Sequence, residues 1–429
     1  MRTPDAARRA GRVCAALLCF VTAALGAAPP NSPDAASVAS APPALEAPVP
    51  AVEADAAVAP RIGLVTMEPG QEYWSRYGHN AILVDDGQER TLYNYGYFDF
   101  AQPRFLTRFL RGRMLYRLLA LPLDEDLANY EAEGRGAVLQ WLALEPAAAR
   151  ELAAYLAWNA LPENADYRYD YFTANCSTKV RDALDRAYGG ALRRALSGRS
   201  HGYTFRDEAR RLAATLPWLY LGTHLGLGPY TDRPVSLWEE SFVPMRLRDA
   251  LAQTQIDGRP VVSGEVELLP HRLVSPPDAP PQWLWRFALA GVAIAAVLGW
   301  TTRRRAPRAL RLTGTAFAAT LWLACGLAGA GLLALWGLTD HVAAWGNENA
   351  LLFDPLCLGL LAAIPALARG TDASRLVRLL ALAVLGAAGV ALFLKFLPFR
   401  LQANGDWIAL LLPIHAMLAW RLARVEALR

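Results

Sequence analysis

Along residues 61–270 apolar positions alternate with polar ones in short runs or recur at helical spacing, whereas beyond Trp283 they form long uninterrupted stretches. The first pattern predicts an α+β domain. "RIGLVTM" from Arg61 and "HNAILVDDGQERTLYNYGYF" from His79 read as strands, the latter two joined at Asp86-Gly87, a favoured hairpin turn. "RMLYRLLALPL" alternates and gives way to a helix over 124–133 with Asp124 as its N-cap. "AVLQWLALEP" is a further strand, before a helix that Pro146 opens and that runs through Trp158. After the aromatic loop "YRYDYFTANC" comes an amphipathic helix in which Cys176, Val180, Ala183, Leu184 and Ala187 share one face. Helical patterns return over 205–215 and 244–253, and a β-rich piece over 260–270 leads to a Pro-rich hinge.

The second pattern predicts membrane spans. A bilayer takes about 20 apolar residues. Stretches of that kind run over 283–302, 312–338, 351–368 and 376–397, with a shorter fifth over 407–420, so residues 283–429 are expected to form an all-α bundle of about five transmembrane helices. Arg303, Arg304, Arg305, Arg308 and Arg311 follow the first span, Arg369, Arg375 and Arg378 the third, and Arg421, Arg424 and Arg429 the fifth. Positive loops stay in the cytoplasm. The loops after spans two and four carry mixed polar residues, from Asp340 to Asn349 and from Arg400 to Asp406, which suits the outer side.

The N-terminus agrees with that orientation. Arg2, Arg8, Arg9 and Arg12 precede an apolar run from Val13 to Leu25, the form of a secretory signal peptide over 1–28. An Ala/Pro-rich linker over 29–60 is too poor in aromatics to fold. Residues 61–275 are then exported. The expectation is a multi-pass inner-membrane protein with its folded α+β domain outside and its C-terminus in the cytoplasm.

Charge sharpens the partition. From Trp283 to Arg429 there are 14 Lys+Arg against 6 Asp+Glu, a surplus of eight, so the overall +4 leaves −4 for residues 1–282 and −7 once the first 28 are set aside. The positive charge flanks apolar runs, which points to membrane orientation and away from nucleic acid as a partner. Five Cys are too few for a disulfide scaffold. Two lie in the signal and Cys325 and Cys357 in spans, so Cys176 alone remains in the exported domain.

A free Cys is commonly a small buried hydrophobe. Here, though, Asn175-Cys176-Ser177-Thr178 opens a helix, where unpaired N–H groups and the dipole stabilise a thiolate, and Lys179 and Arg181 add charge. Cys176 is therefore the candidate nucleophile. Lys179 also reads as an ordinary solvated helix charge. A thiolate needs a base, and His79, at a strand start after Gly78, has a better context than His201, His224 or His271. A third group accepting from the imidazole comes from Asn80, Asn94, Asp99 or Asp170, with Asn94 and then Asp99 preferred. Asn175, Ser177 and Asp170, with His341, Asn347 and Asn349 from the outer loops, are candidate substrate or oxyanion contacts. No metal motif or cofactor-binding loop is visible.

"YGHNAILV", "LYNYGYFDF", "YDYFTANCSTKVRDAL", "RPVSLWEESFVPMRLRDAL" and the C-terminal "DHVAAWGNENALLFDPL" together resemble the Lnb-type lipoprotein N-acyltransferases and proteins with an Lnb-like N-terminal periplasmic domain. More distantly, the order of His before Cys and the Asn-Cys helix start are similar to the permuted NlpC-type papain-like fold. The resemblance implies a membrane-anchored acyltransferase acting on a membrane lipid or lipoprotein: Cys176 attacks an acyl ester, His79 serves as base and then acid, and an amine resolves the thioester. Backbone N–H groups at Cys176 and Ser177 would hold the oxyanion. Two other readings use the same residues. One is a papain-like amidase acting on cell-wall peptides; the other is a non-catalytic membrane scaffold with Cys176 in its core.

Overall fold

The computed structural model describes residues 59–99 and 103–424. The expected signal peptide, the linker before Ala59 and the C-terminal Arg429 lie outside them. The described residues fall into two compact units: one holds the chain up to Tyr220 together with Pro234–Pro280, the other holds Leu221–Arg233 together with the chain from Pro281.

The first unit is mixed α and β. Its strands are β1 (Arg61–Met67), β2 (His79–Asp85), β3 (Arg90–Tyr97), β4 (Leu115–Pro122), β5 (Ala137–Leu142), β6 (Asp166–Arg168), the short pair β7 (Gln255–Ile256) and β8 (Arg259–Pro260), and β9 (Val262–Leu269). Seven of them form one sheet in the order β6-β4-β3-β2-β1-β5-β9, antiparallel at every pairing. Its helices are α1 (Phe105–Leu110), α2 (Leu123–Ala132), α3 (Pro146–Asn159), α4 (Cys176–Ala187), α5 (Ala191–Ser197), α6 (Phe205–Ala213), the start of α7 (Pro217–Gly226), α8 (Leu237–Glu240) and α9 (Pro244–Ala252).

Strand alternation sends side chains to two opposite layers. Ile62, Leu64, Ile82, Tyr93 and Tyr95 face Leu152 and Leu156 of α3, Val180 and Leu184 of α4 and Leu247 and Leu251 of α9. Val65, Met67, Ala81, Leu83 and Leu92 face Leu123 of α2, with Leu127 and Tyr130 against them. Val180 and Leu184 are completely buried, each worth about 1.5–3 kcal/mol, and they hold α4 with its first residue over β2 and β3.

The strand and helix expectations hold with one local correction. The helix expected to begin with Asp124 as its cap begins at Leu123, and its N-cap is Pro122. Pro122 ends β4 and has no N–H to donate to the ladder, so the chain leaves the sheet there. Asp124 sits in the first turn and pairs with Arg90 at 3.0 Å. Short elements without a long apolar period, α1, α5, α8 and β6, were invisible to pattern.

In the second unit five helical segments are long and apolar enough to cross a membrane: Leu284–Thr301, Arg308–Leu338, Glu348–Arg369, Arg375–Phe396 and Gly405–Ala423. The third is not the regular α-helix expected over 351–368. It runs as 3₁₀ turns over Glu348–Leu351 and Pro355–Ala363 before a short α-helix, Ile364–Arg369. Pro355 and Pro365 each remove a donor N–H, and the Asp354 carboxylate accepts from the Leu356 N–H at 2.9 Å, fixing a turn where the helix would otherwise continue.

The polar loops sort to two ends of this unit. Arg304, after the first span, pairs with Asp372, after the third, and Arg421, near the end of the fifth, donates to the Thr302 carbonyl at 2.8 Å. The loops after the second and fourth spans meet instead through Gln402, whose amide donates to Asn347 at 2.7 Å.

Candidate active site

Two tight approaches set the start of β2 against β1 and the end of β3 against α4. Gly78, just before β2, has φ +76°, and a Cβ there would lie 3.0 Å from the Met67 carbonyl oxygen. Gly96 has φ +101°, and its Cβ would lie 3.2 Å from the Cβ of Cys176. It sits where the β3–β4 register slips between Tyr95 and Tyr97. Only glycine fits both a left-handed backbone and that contact. The slip thus opens the sheet for the first turn of α4.

The cap of α4 fixes that turn. Asn175 Oδ1 accepts from the Thr178 N–H at 2.9 Å, and Thr178 Oγ1 accepts from the Asn175 N–H at 2.8 Å, a reciprocal capping box. Asn175 Nδ2 donates to the carbonyls of Tyr171 and Phe242. Ser177 Oγ donates to the Ser241 carbonyl at 2.6 Å and accepts from Asn80 Nδ2 at 2.9 Å. Asn80 Oδ1 in turn accepts from Thr66 Oγ1 at 2.8 Å. Asn175 and Ser177 are therefore buried structural ties whose side chains are fully engaged, and a role in substrate binding is left only to their backbone. Asn80, weighed as an orienting group for the histidine, works here as a lock between β1, β2 and α4.

His79 Nε2 lies 3.0 Å from Asn94 Oδ1. The orientation of the Asn94 amide is set by its other atoms: Nδ2 donates to Asp126 Oδ2 at 3.1 Å and to the Leu92 carbonyl at 3.4 Å. The oxygen must then face the ring, so Nε2 carries the proton and Nδ1 carries the lone pair. That tautomer is the one a general base needs. The backbone N–H next along the strand, that of Asn80, faces the Cys176 sulfur, as do the N–H groups of Ser177 and of Cys176 itself.

Electrostatics corrects the expectation of a depressed thiol. Burial pushes the Cys176 thiol up from its ordinary value, and the three N–H groups and the nearby Arg135 guanidinium only partly oppose it. Burial also lowers His79 to about 4, against the Asn94 hydrogen bond and assisted by Arg135. Near neutral pH the thiol and the imidazole are thus both uncharged. Arg135 is itself buried, donating to the Glu68 carbonyl at 2.8 Å and lying over the Tyr130 ring. Neither Arg135 nor Asp126 carried any sequence signal, because an Arg after a glycine turn and one Asp among three acids of a helix start look ordinary.

The remaining candidates lie elsewhere. Asp99 is exposed beyond the end of β3, and Asp170 Oδ1 accepts from Phe172 N, Thr173 N and Thr173 Oγ1 in its own turn. His201 Nδ1 pairs with Glu240 at 2.6 Å, and His271 Nδ1 accepts from the Gly136 N–H at 3.1 Å. His224 pairs with Asp406 inside the second unit. His341, Asn347 and Asn349 belong to that unit too, and both asparagines are buried. Lys179 is no solvated charge: its ammonium lies over the rings of Tyr167 and Tyr95, and burial lowers it.

Aromatic rings surround the thiol. Tyr116, Tyr167 and Tyr169 all lie close enough to feel a negative charge on its sulfur. Tyr116 stacks on Tyr169 at 4.1 Å and on Phe98 at 5.1 Å. Tyr73, close enough to Tyr116 for their charges to interact, packs edge-on against Trp74 and Trp218, and all three are about half exposed.

Residues 54–209 match a family model, the Lnb N-terminal periplasmic domain. The match takes in His79, Asn94, Asp126 and Cys176. No curated protein and no solved structure matches the chain. The Lnb-type segment ends inside α6, so β9, the Ser241–Pro244 turn that locks Asn80 and Ser177, and the apolar spans all lie beyond it.

Proposed function

We propose that the protein is a membrane-bound thiol acyltransferase of the Lnb type, moving an acyl chain from a lipid or diacylglyceryl-lipoprotein ester through a Cys176 thioester to an amine. The observation that carries the reading is the His79–Asn94–Asp126 chain, which fixes the imidazole with a free lone pair on the strand whose next N–H faces the Cys176 sulfur. The match to the Lnb periplasmic domain and five apolar segments in the same chain support a lipid-borne substrate at the extracytoplasmic face of the inner membrane. So does the aromatic, half-exposed rim, which suits hydrocarbon better than a polar peptide.

The chemistry runs in two halves. As an ester carbonyl approaches, the Cys176 proton passes to His79 Nδ1 and the sulfur adds to the carbonyl carbon. The backbone N–H groups of Asn80, Cys176 and Ser177 are the donors for the oxyanion. Collapse breaks the ester C–O bond, and the proton on Nδ1 goes to the leaving alkoxide, giving the thioester and an alcohol. An amine then attacks the thioester, His79 takes its proton, and the Cys176 thiolate leaves and is reprotonated. The order of His before Cys and the helix-start placement of Cys176 also support a papain-like, permuted NlpC-type kinship of this domain.

Intact-mass analysis of the full-length protein incubated with diacylated lipoprotein in detergent tests the proposal. An acyl adduct that hydroxylamine releases, present in the native chain and missing in Cys176→Ser, is expected. A native chain that transfers acyl groups with no such adduct would overturn it.

A further inference from the structure

α1 buries none of its six residues. Helices of a folded domain are ordinarily held by an apolar face against a core, yet here Leu106 and Phe109, three residues apart and so neighbours on the helix surface, are 54% and 41% exposed. A column of rings leads from this helix toward the thiol. Phe109 stacks on Phe105 at 6.1 Å, Phe105 on Phe98 at 6.4 Å and Phe98 on Tyr116 at 5.1 Å, and Tyr116 lies close enough to the Cys176 sulfur to feel a negative charge there.

The charge around this helix runs against that of its domain. Residues 29–282 sum to −7, whereas residues 103–113 hold Arg104, Arg108, Arg111 and Arg113 and no acid. Arg104, Arg108 and Arg111 follow one another at four and three residues, the spacing of one helix side. Arg168 joins them by donating to the Gly112 carbonyl at 3.4 Å. The carboxylates on the adjoining chain are Asp99, which precedes the helix, and Asp170, set beside Arg113 because the Tyr169 N–H donates to the Met114 carbonyl at 3.0 Å. Asp166, farther along β6, is matched by Arg117 at 2.8 Å. Five arginines against two carboxylates leave a surplus of three positive charges.

We infer that α1 and the arginine turn after it rest on an anionic phospholipid surface, with Leu106 and Phe109 set among the headgroups and the arginines against the phosphates. Arginine on one side of a helix with leucine and phenylalanine on the next is the pattern of elements that lie in a membrane interface, and anionic lipid draws basic side chains to its surface. Five segments of the chain are long and apolar enough to cross a membrane, so a bilayer is always within its reach. The contact itself needs no thiol chemistry; its use, to bring a lipid ester to the ring column beside Cys176, rests on the acyl transfer proposed above.

Hydrogen exchange of the full-length protein in lipid nanodiscs, read by mass spectrometry over peptides covering residues 103–113, tests the inference. A helix with no buried residue opens easily, so its amides report what covers it. In discs of equal phosphatidylglycerol and phosphatidylcholine these amides should exchange at least about tenfold more slowly than in discs of phosphatidylcholine alone. Arg104→Gln with Arg111→Gln, and separately Leu106→Ser with Phe109→Ser, should bring the ratio between the two lipids near one. Equal exchange of the native chain in the two lipids overturns the inference, as does a slowing that survives both pairs of changes or that extends equally to β2 and β3. All four changes fall on exposed side chains, and where one pair does not fold the other decides. The readout is lipid-dependent exchange, so it stands or falls separately from acyl transfer.

Discussion

His79 and Asn94 face each other from neighbouring strands with Nε2 and Oδ1 3.0 Å apart, and the buried Asp126 behind Asn94 decides which way the amide points. This three-residue chain lets a neutral imidazole present its lone pair at Nδ1.

Asn94→Ala should therefore lower acyl transfer about ten- to a hundredfold, the usual scale for losing a group that orients a reactive one, while leaving Cys176 in place. Asp126→Asn should cost less, because an amide still accepts from Asn94. Rates at saturating substrate for the two variants check the ordering; a larger loss in Asp126→Asn than in Asn94→Ala would show that Asp126 does not act through Asn94.

Activity should persist to unusually low pH. His79 must be neutral to accept a proton, and its pKa is lowered to about 4 by burial. The acid limb of kcat/KM is expected near 4, well below the ordinary histidine value of about 6.5. A limb at 6 or above would mean that His79 is not the base.

The same shift sets a stability trend. Between about pH 6.5 and 4 the unfolded chain holds a proton on His79 that the folded chain does not. Unfolding thus takes up protons, so stability falls as pH drops through that window, by at most about 3 kcal/mol from this group. Denaturant midpoints at pH 7 and pH 4.5 for the native chain and His79→Gln give the contribution, since the variant lacks the titration.

Cys176 should alkylate slowly at neutral pH. Burial raises its pKa, so the site-resolved iodoacetamide rate should still be climbing past pH ~8.5, the ordinary thiol value. A rate already level below pH 7 would instead indicate a preformed thiolate–imidazolium pair.

Gly96→Ala should destabilise the first unit by about 1–3 kcal/mol, combining a left-handed backbone with a 3.2 Å approach to the Cys176 Cβ. It should also nearly abolish transfer. A thermal melt and an activity assay read both; a stable, active variant would show that the β3 slip does not seat the thiol.

Much of this protein could be read along its chain. Local alternation marked β1 to β5 and β9, the period of α4 marked the face that holds it on the sheet, and uncharged runs marked five spans. Asn-Cys at a helix start and Gly-His at a strand start marked the proposed nucleophile and its proposed base, because caps and tight turns act through near neighbours in sequence. Tertiary structure decided what depends on residues distant in sequence. Asn94 was chosen over Asp99 and Asp170 by strand register and by Asp126 from a separate helix. Burial, a sum over every surrounding element, reversed the expected drop in the Cys176 pKa. The outer-loop asparagines, weighed as substrate contacts, cap the end of α7, and only packing against a helix more than a hundred residues earlier in the chain could bring them there.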